Sequence, residues 1–126
     1  MTNHFFIRCS TLIATILLAF GLTTRVQAQS GSALMLLDDA YATLAQADHD
    51  YKGHRVAAMK QIEAAVKELG GKISGHGKGH EPQGTSDAQL RAAQGLLQQA
   101  SGGLSGKTLK HGTAASKQLT TALAIR

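Results

Sequence analysis

The chain is poor in the residues that carry most protein chemistry: its 126 residues include one cysteine, one proline, no tryptophan and only 4% aromatic residues. Cys9 lies in a segment that we expect to be removed, so the remaining chain has no disulfide and no thiolate ligand or nucleophile. The three phenylalanines lie in the same segment, which leaves Tyr41 and Tyr51 as the aromatic residues. Bases stack on aromatic rings or planar guanidinium groups, so we expect no specific nucleic-acid partner.

The amino-terminal segment has the order of features that is typical of a secretory signal peptide. Arg8 precedes an uncharged, largely apolar run at Thr11–Leu22, and small residues at Val26 and Ala28 follow it. This run of 12 residues is shorter than the roughly 20 residues of a spanning helix. We therefore expect residues 1–28 to be removed and the product to be periplasmic or secreted, without a membrane span after cleavage.

The expected product, residues 29–126, keeps 98 of the 126 residues and suits one small domain. Removal of Arg8 and Arg25 lowers the net charge from +5 to +3, because all eight acidic residues lie beyond the cut. This excess favours anionic surfaces without specifying one. An unknown protein or small ligand of the cell envelope is the expected partner.

Apolar residues at steps of three and four predict four helices. The predicted helices run from Ser32 to Ala47, from Asp50 or Gly53 to Leu69, from a capping box at Ser86–Gln89 to about Ala100, and from about Thr108 to the end. Val56, Met59, Ile62, Val66 and Leu69 form one stripe of the second helix. We expect burial of Leu37, Tyr41, Leu44, Met59, Ile62, Val66, Leu90, Leu97, Leu119 and Leu123. The predicted fold is all-α, an antiparallel four-helix bundle of two helical hairpins, about 32–70 and 86–126, with an exposed glycine-rich loop at 71–85.

A plausible internal repeat relates the second and fourth helices at an offset of 57 residues. His54 falls on His111, and both begin the pattern His-x-x-x-Ala-x-x-Gln-x-x-x-Ala. Two such hairpins, each too small to bury its own apolar stripe, would pack together into one bundle.

His54 and His111 are accordingly candidate cofactor-binding residues. Histidines that face each other in a bundle can ligate haem iron or, with carboxylates, a divalent metal. The alternative is that each histidine caps or hydrogen-bonds near the start of its helix, as Asp50 could do for His54.

A second candidate site lies in the glycine-rich loop, where His76, His80 and Glu81 could wrap a divalent cation such as zinc, copper or nickel. Asp48, His49 and Asp50 could complete this site from another turn. The alternative is a solvated loop, because ordering so flexible a segment is costly. We expect that the protein binds no cofactor tightly. At most we expect weak binding of a divalent metal, and haem binding is less expected than metal binding.

Phosphate-loop patterns fail, and no catalytic arrangement stands out, so we expect a binding or interaction module and not an enzyme. The alternative function is a histidine-based metal or haem carrier.

Asp50-Tyr51-x-Gly53-His54-Arg55 resembles a motif of uncharacterised small exported bacterial helical proteins. The resemblance covers about a quarter of the chain and implies an exported helical hairpin without any particular activity. For the motif itself we expect Asp50 to cap the helix, Gly53 to permit close approach to a tyrosine, and Arg55 to pair outward.

Export gives the first testable prediction. The exported protein should begin at Gln29, because Ala28 is the last small residue that follows a suitable position at Val26. Amino-terminal sequencing of the exported product checks this, and a product that retains Met1 would contradict it.

Overall fold

The computed structural model describes residues 11–47, 49–75 and 82–125. Four helices and one short 3-10 turn form this part of the chain, and it contains no strand. The helices are α1 (Thr11–Gln46), α2 (His54–Glu68), α3 (Gln83–Ser101) and α4 (Gly106–Ala124), and the 3-10 turn is Tyr51–Gly53. α1 begins before Ser32, where we expected it, because the preceding run of Leu, Ile and Ala favours helix and contains no proline. No helix among the described residues is long and apolar enough to cross a membrane.

The helices pack as the expected antiparallel four-helix bundle. Tyr51, after the end of α1, bonds to Asp87 near the start of α3, so α1 and α3 are antiparallel. His54, at the start of α2, bonds to Gln118 in the second half of α4, so α2 and α4 are antiparallel as well. Around the bundle the order is therefore α1, α2, α4, α3, with each helix antiparallel to its neighbours.

The core follows a strict alternation of four- and three-residue steps, which is the heptad spacing of helices that cross at a small angle. Small residues alternate with large ones along α1 and α3, so that successive layers interdigitate. The buried positions of this pattern are Ala33, Leu37, Ala40 and Leu44 in α1, Ala47 directly after it, and Ser86, Leu90, Ala93, Leu97 and Ala100 in α3. The corresponding core positions are Ala58, Ile62 and Ala65 in α2, and Ala115, Leu119 and Ala122 in α4.

This pattern extends the internal repeat to α1 and α3, but at a different offset. Leu37-x-x-Ala40-x-x-x-Leu44-x-x-Ala47 matches the pattern at residues 90–100 with an offset of 53 residues. The offset between matched residues is 53 at Ala47 and Ala100, and it is 57 at His54 and His111. It increases because the second hairpin has four more residues between these two positions than the first. The two hairpins thus repeat each other along their whole buried length.

The first part of the connection from α2 to α3, residues 71–75, lies along α1. Gly71 lies against Leu34, where an added Cβ would come within 2.3 Å of a leucine methyl carbon, and Gly75 lies against Ala42. Between them, the backbone N–H and the hydroxyl of Ser74 donate hydrogen bonds to Asp38. The expectation of an exposed loop from residue 71 holds for Lys72 and Ser74, whereas Gly71, Ile73 and Gly75 are partly buried because this segment docks on one face of α1. Residues 76–81 lie outside the described residues.

The start of α3 also differs from the sequence expectation. The helix is capped at Pro82, whose carbonyl oxygen accepts hydrogen bonds from the N–H groups of Thr85 and Ser86. Ser86 is therefore not a cap but a buried residue one turn inside the helix. The capping box that does form is at the start of α4, where the Ser105 and Thr108 side chains each bond the other residue's backbone N–H.

The expected core is largely confirmed, with exceptions at its edges. Tyr41, Met59 and Leu123 are only partly buried and pack against the core. Val56, which the sequence places on the apolar stripe of α2, is 39% exposed, because the stripe that this helix buries runs through Ala58, Ile62 and Ala65.

The burial of a side chain, more than its hydrophobicity, should determine how much an alanine substitution lowers the free energy of unfolding. Ile62→Ala should lower the free energy of unfolding by about 2–4 kcal/mol, because Ile62 is fully buried and its loss leaves a cavity. Leu109→Ala is the control and should change it by no more than about 0.5 kcal/mol, because Leu109 is 38% exposed. Urea denaturation followed by circular dichroism measures both, and equal losses would contradict the assigned core.

Candidate functional site

The two predicted histidines form crossed hydrogen bonds between α2 and α4. Nδ1 of His54 lies 2.7 Å from Oε1 of Gln118. Nδ1 of His111 lies 2.8 Å from Oε1 of Gln61. All four side chains are half-buried at the edge of the core. The two pairs are equivalent under the 57-residue repeat, so an approximate two-fold axis passes between them.

The small residues of the same pattern explain why these side chains meet. Ala58 and Ala65 on α2, and Ala115 and Ala122 on α4, are fully buried behind the polar pairs. Methyl groups at these positions allow the two helices to approach closely enough for a glutamine to reach an imidazole ring.

The hydrogen bonds also fix the protonation of both rings. A carbonyl oxygen can only accept, so Nδ1 of each histidine carries the proton and donates it. In the neutral ring, Nε2 then bears the lone pair and remains the nitrogen able to bind a cation or accept a proton. A partner of this kind is the usual way in which a protein orients a metal-binding histidine.

The two histidines do not come together at one metal. The crossed pairs place His54 level with Gln118, and His111 level with Gln61. His54 and Gln61 are seven residues apart on α2, so the two imidazoles are offset by roughly 10 Å along the bundle. Two nitrogens on one zinc ion lie no more than about 4 Å apart. The structure therefore places the pair in two separate positions, each occupied by a His–Gln contact.

The turn before α2 adopts an unusual backbone conformation. Tyr51, Lys52 and Gly53 have φ angles of +49°, +53° and +86°. Left-handed conformation costs an ordinary residue roughly 1–2 kcal/mol, and only glycine adopts it without that cost. Gly53 therefore serves the turn itself, and nothing lies within 4 Å of where its Cβ would be. Strain at Tyr51 and Lys52 has to be offset by contacts that the turn makes elsewhere.

Tyr51 supplies one of these contacts. Its side chain is 1% exposed, and its hydroxyl donates a hydrogen bond to the Asp87 carboxylate on α3. Burial, reinforced by that bond, raises the pKa of Tyr51 well above its usual value. Tyr41 behaves similarly on α1, where burial and a 2.9 Å bond to Glu63 of α2 raise its pKa.

Arg55 supplies the other contact, and it differs from the expected outward pairing. Its Nη1 donates a 2.9 Å hydrogen bond to the carbonyl oxygen of Leu44, in the last turn of α1. The last carbonyls of a helix have no partner within the helix and carry partial negative charge, which a guanidinium group stabilises. Asp50 forms no side-chain cap, so the expectation for that residue is also wrong. The motif thus joins α1, α3 and α4 to the start of α2.

The predicted loop metal site is described only in part. His49 and Asp50 are exposed, and the His49 ring packs edge-on against Tyr51 at a centroid distance of 4.8 Å. His76 and His80 lie outside the described residues. Within the described residues, no group of three or more His, Cys, Asp or Glu side chains could hold a metal ion.

The sequence analysis missed the lysines of α2 and α4. Lys60 and Lys67 are seven residues apart on α2, and Lys110 and Lys117 are seven apart on α4, so each pair lies on one stripe of its helix. All four are exposed, and no described residue forms an ion pair with any of them. We call this surface the lysine face. The sequence could have indicated the lysine face, because Lys60 and Lys117 are matched positions of the 57-residue repeat.

Comparisons with known proteins give no match, so the class of this chain is defined by its fold. No protein-family model matches the sequence, and neither curated proteins nor solved structures give a match. The fold is that of an all-α antiparallel four-helix bundle, built here from two similar hairpins.

Double-mutant cycles should resolve the two His–Gln pairs as independent. His54→Ala and Gln118→Ala should each destabilise the protein by about 1 kcal/mol, with a coupling energy of about 0.5–1.5 kcal/mol between them. The same should hold for the other pair, His111 and Gln61.

The matched control is the cycle between His54 and Gln61, which are two turns apart on one helix and do not bond. Its coupling energy should be no more than about 0.5 kcal/mol, since separate sites add. Urea denaturation measures all of these terms. Coupling as strong in the control as in the pairs would refute the crossed arrangement.

Proposed function

We propose that the protein is a small exported binding or interaction module without catalytic activity, and that the lysine face is its binding surface. The observation that carries this proposal is the set of four exposed lysines, without ion-pair partners among the described residues, on a rigid helix pair. Charges that serve stability are usually paired or scattered, whereas an unpaired cluster of one sign favours an oppositely charged partner. Periplasmic or secreted location follows, as a proposal, from the signal-like segment at 1–28.

The engagement of the polar side chains in the bundle supports a role without catalysis. A general base needs a free nitrogen or oxygen next to the group that it deprotonates. Tyr51 bonds to Asp87, Tyr41 bonds to Glu63, and both histidines bond to glutamines through Nδ1, which leaves Nε2 as the one basic nitrogen of each ring. These contacts hold the helices together, which gives the lysine face a fixed shape.

A histidine-based metal or haem carrier is the second candidate. The Nδ1 bonds of His54 and His111 favour it, because they leave Nε2 of each ring as the basic nitrogen. The offset of roughly 10 Å between the rings opposes a metal shared by both histidines and a haem with two histidine ligands, because either of these needs both nitrogens at once.

Purification from the periplasm separates the two candidates. We expect no stoichiometric metal by elemental analysis and no Soret band, with only weak binding of zinc, copper or nickel by isothermal titration at neutral pH. Weak binding should fade below about pH 6.5, because the imidazoles must be neutral to bind.

Paired variants locate any binding that is found. Loss of binding in His76→Ala/His80→Ala alone would assign the metal to the loop. Loss in His54→Ala/His111→Ala alone, together with stoichiometric metal or haem in the unmodified protein, would replace the proposed function with the carrier. Submicromolar binding that survives both double variants would mean that other ligands are responsible.

A further inference from the structure

We infer that the partner of the lysine face is an extended polyanion, a linear polymer with repeated carboxylate, phosphate or sulfate groups. This inference rests on the proposed function, since it names the partner of the same surface. Four features carry it: the register of α2 against α4, the shape of the surface between the lysines, the distribution of charge around the bundle, and the absence of apolar anchors.

The crossed His–Gln pairs fix the relative heights of the lysines. Lys110 of α4 lies level with Ile62 of α2, next to Lys60, and Lys117 lies level with Arg55. From Lys117 at one end to Lys67 at the other, the four ammonium groups extend over roughly 18 Å. They form two antiparallel rows, one on each helix, with a spacing that suits successive charges of a polymer chain.

Two packed helices leave a furrow between them on their outer side, and we call the furrow between the two lysine rows the groove. The helical period places Ala57 and Ala64 of α2, and Ala114 of α4, between the lysines and the His–Gln pairs. These three alanines are half-buried, so small side chains line this part of the groove. An extended chain that lay along it would have lysines on either side.

The charges around the groove complement a polyanion and exclude a second copy. Glu63 is turned towards α1 by its bond to Tyr41, and Glu68 is the one carboxylate at the end of the groove on α2. α4 carries lysines and no acidic residue. Two copies that met through this face would oppose like charges, which is unfavourable.

The apolar surface is too sparse for the other macromolecular partners. A folded protein partner usually needs aromatic or aliphatic anchors at the centre of an interface. Binding to a lipid surface relies on Trp, Phe or Leu side chains that enter the acyl boundary. On the described part of α2 and α4, the large hydrophobic side chains in the exposed class are Val56 and Leu109, at 39% and 38% exposure. Electrostatic attraction alone remains, and it works best with a dense linear charge.

Salt dependence tests the inference with the purified protein. The probes are polygalacturonate and dextran sulfate, with neutral dextran as the blank and vesicles of phosphatidylglycerol and phosphatidylcholine as the lipid comparison. If the polymer neutralises four lysines, a plot of log affinity against log salt concentration should have a slope of about −3. The affinity should then fall by about 50-fold between about 50 and about 200 mM salt.

Matched double variants test the face itself. Lys110→Gln/Lys117→Gln should lower polyanion affinity by about 25-fold at low salt, from about fivefold per lysine, and reduce the slope by about 1.4. Lys72→Gln/Arg91→Gln removes the same net charge from exposed positions outside the face, and should lower affinity by no more than about threefold. Circular dichroism verifies that both variants are folded.

Three results would overturn the inference. They are an equal loss in both double variants, tighter binding to the vesicles than to the polymers, and no salt-dependent binding by the unmodified protein. None of them would revive the metal carrier, which is decided by metal content and the Soret band. Metal content and the Soret band therefore report a failure of the proposed function, whereas the polymer titrations report a failure of the inference.

Discussion

The packing of the bundle depends on alanine at alternate core positions. Ala58 and Ala65 face the equivalent alanines of α4, and α1 and α3 repeat the same alternation with leucine. A methyl group at these layers lets the helix axes approach, while leucine or isoleucine at the next layer fills the remaining space. The crossed polar pairs and the narrow groove between the lysine rows both follow from this close approach, because a larger side chain would separate α2 from α4.

Asp50–Arg55 is best understood as the corner that holds the two hairpins together. Its left-handed turn reverses the chain and sends Tyr51 into the core towards α3, His54 towards α4 and Arg55 back to the end of α1. Contacts to three helices offset the strain of two non-glycine residues in the left-handed region. A sequence motif of this density often indicates a catalytic or ligand site, but here each of these side chains has a structural contact. We therefore propose that the functional surface is not this motif but the outer side of α2 and α4.

The sequence was sufficient for the parts of the fold that local periodicity controls. The stripe through Ile62 and Val66 predicted the core side of α2, and the glycines after Leu69 predicted its end. The repeat at 57 residues placed His54 with His111, and its matched positions Gln61 and Gln118 proved to be their partners. The repeat of α1 in α3 was missed because four extra residues before His111 change the offset, and a search at one offset detects only one segment.

Tertiary contacts account for the remaining differences. Ser86 has the local pattern of a cap, but Pro82 lies one turn earlier and allows the helix to begin there, after which burial in the core favours Ser86 inside the helix. The docking of 71–75 depends on Asp38, more than 30 residues away in sequence. Arg55 meets the end of α1 only after the turn has formed. No window of sequence around these residues contains their partners.

The expected face-to-face histidines correspond to a definite alternative, the register in which α4 is shifted by one heptad along α2. His54 begins α2 and His111 lies in the second turn of α4, so this shift would leave only residues 54–59 of α2 beside residues 106–111 of α4. It would bring the two imidazoles together, but it would uncover most of the buried stripe of both helices. The observed register sets residues 54–66 against residues 106–118 and also satisfies two hydrogen bonds, each worth about 0.5–1.5 kcal/mol. Apolar burial and the two polar pairs therefore favour the same register. That register sets where the lysines of α4 stand against those of α2, which links the internal repeat to the arrangement of the lysine face.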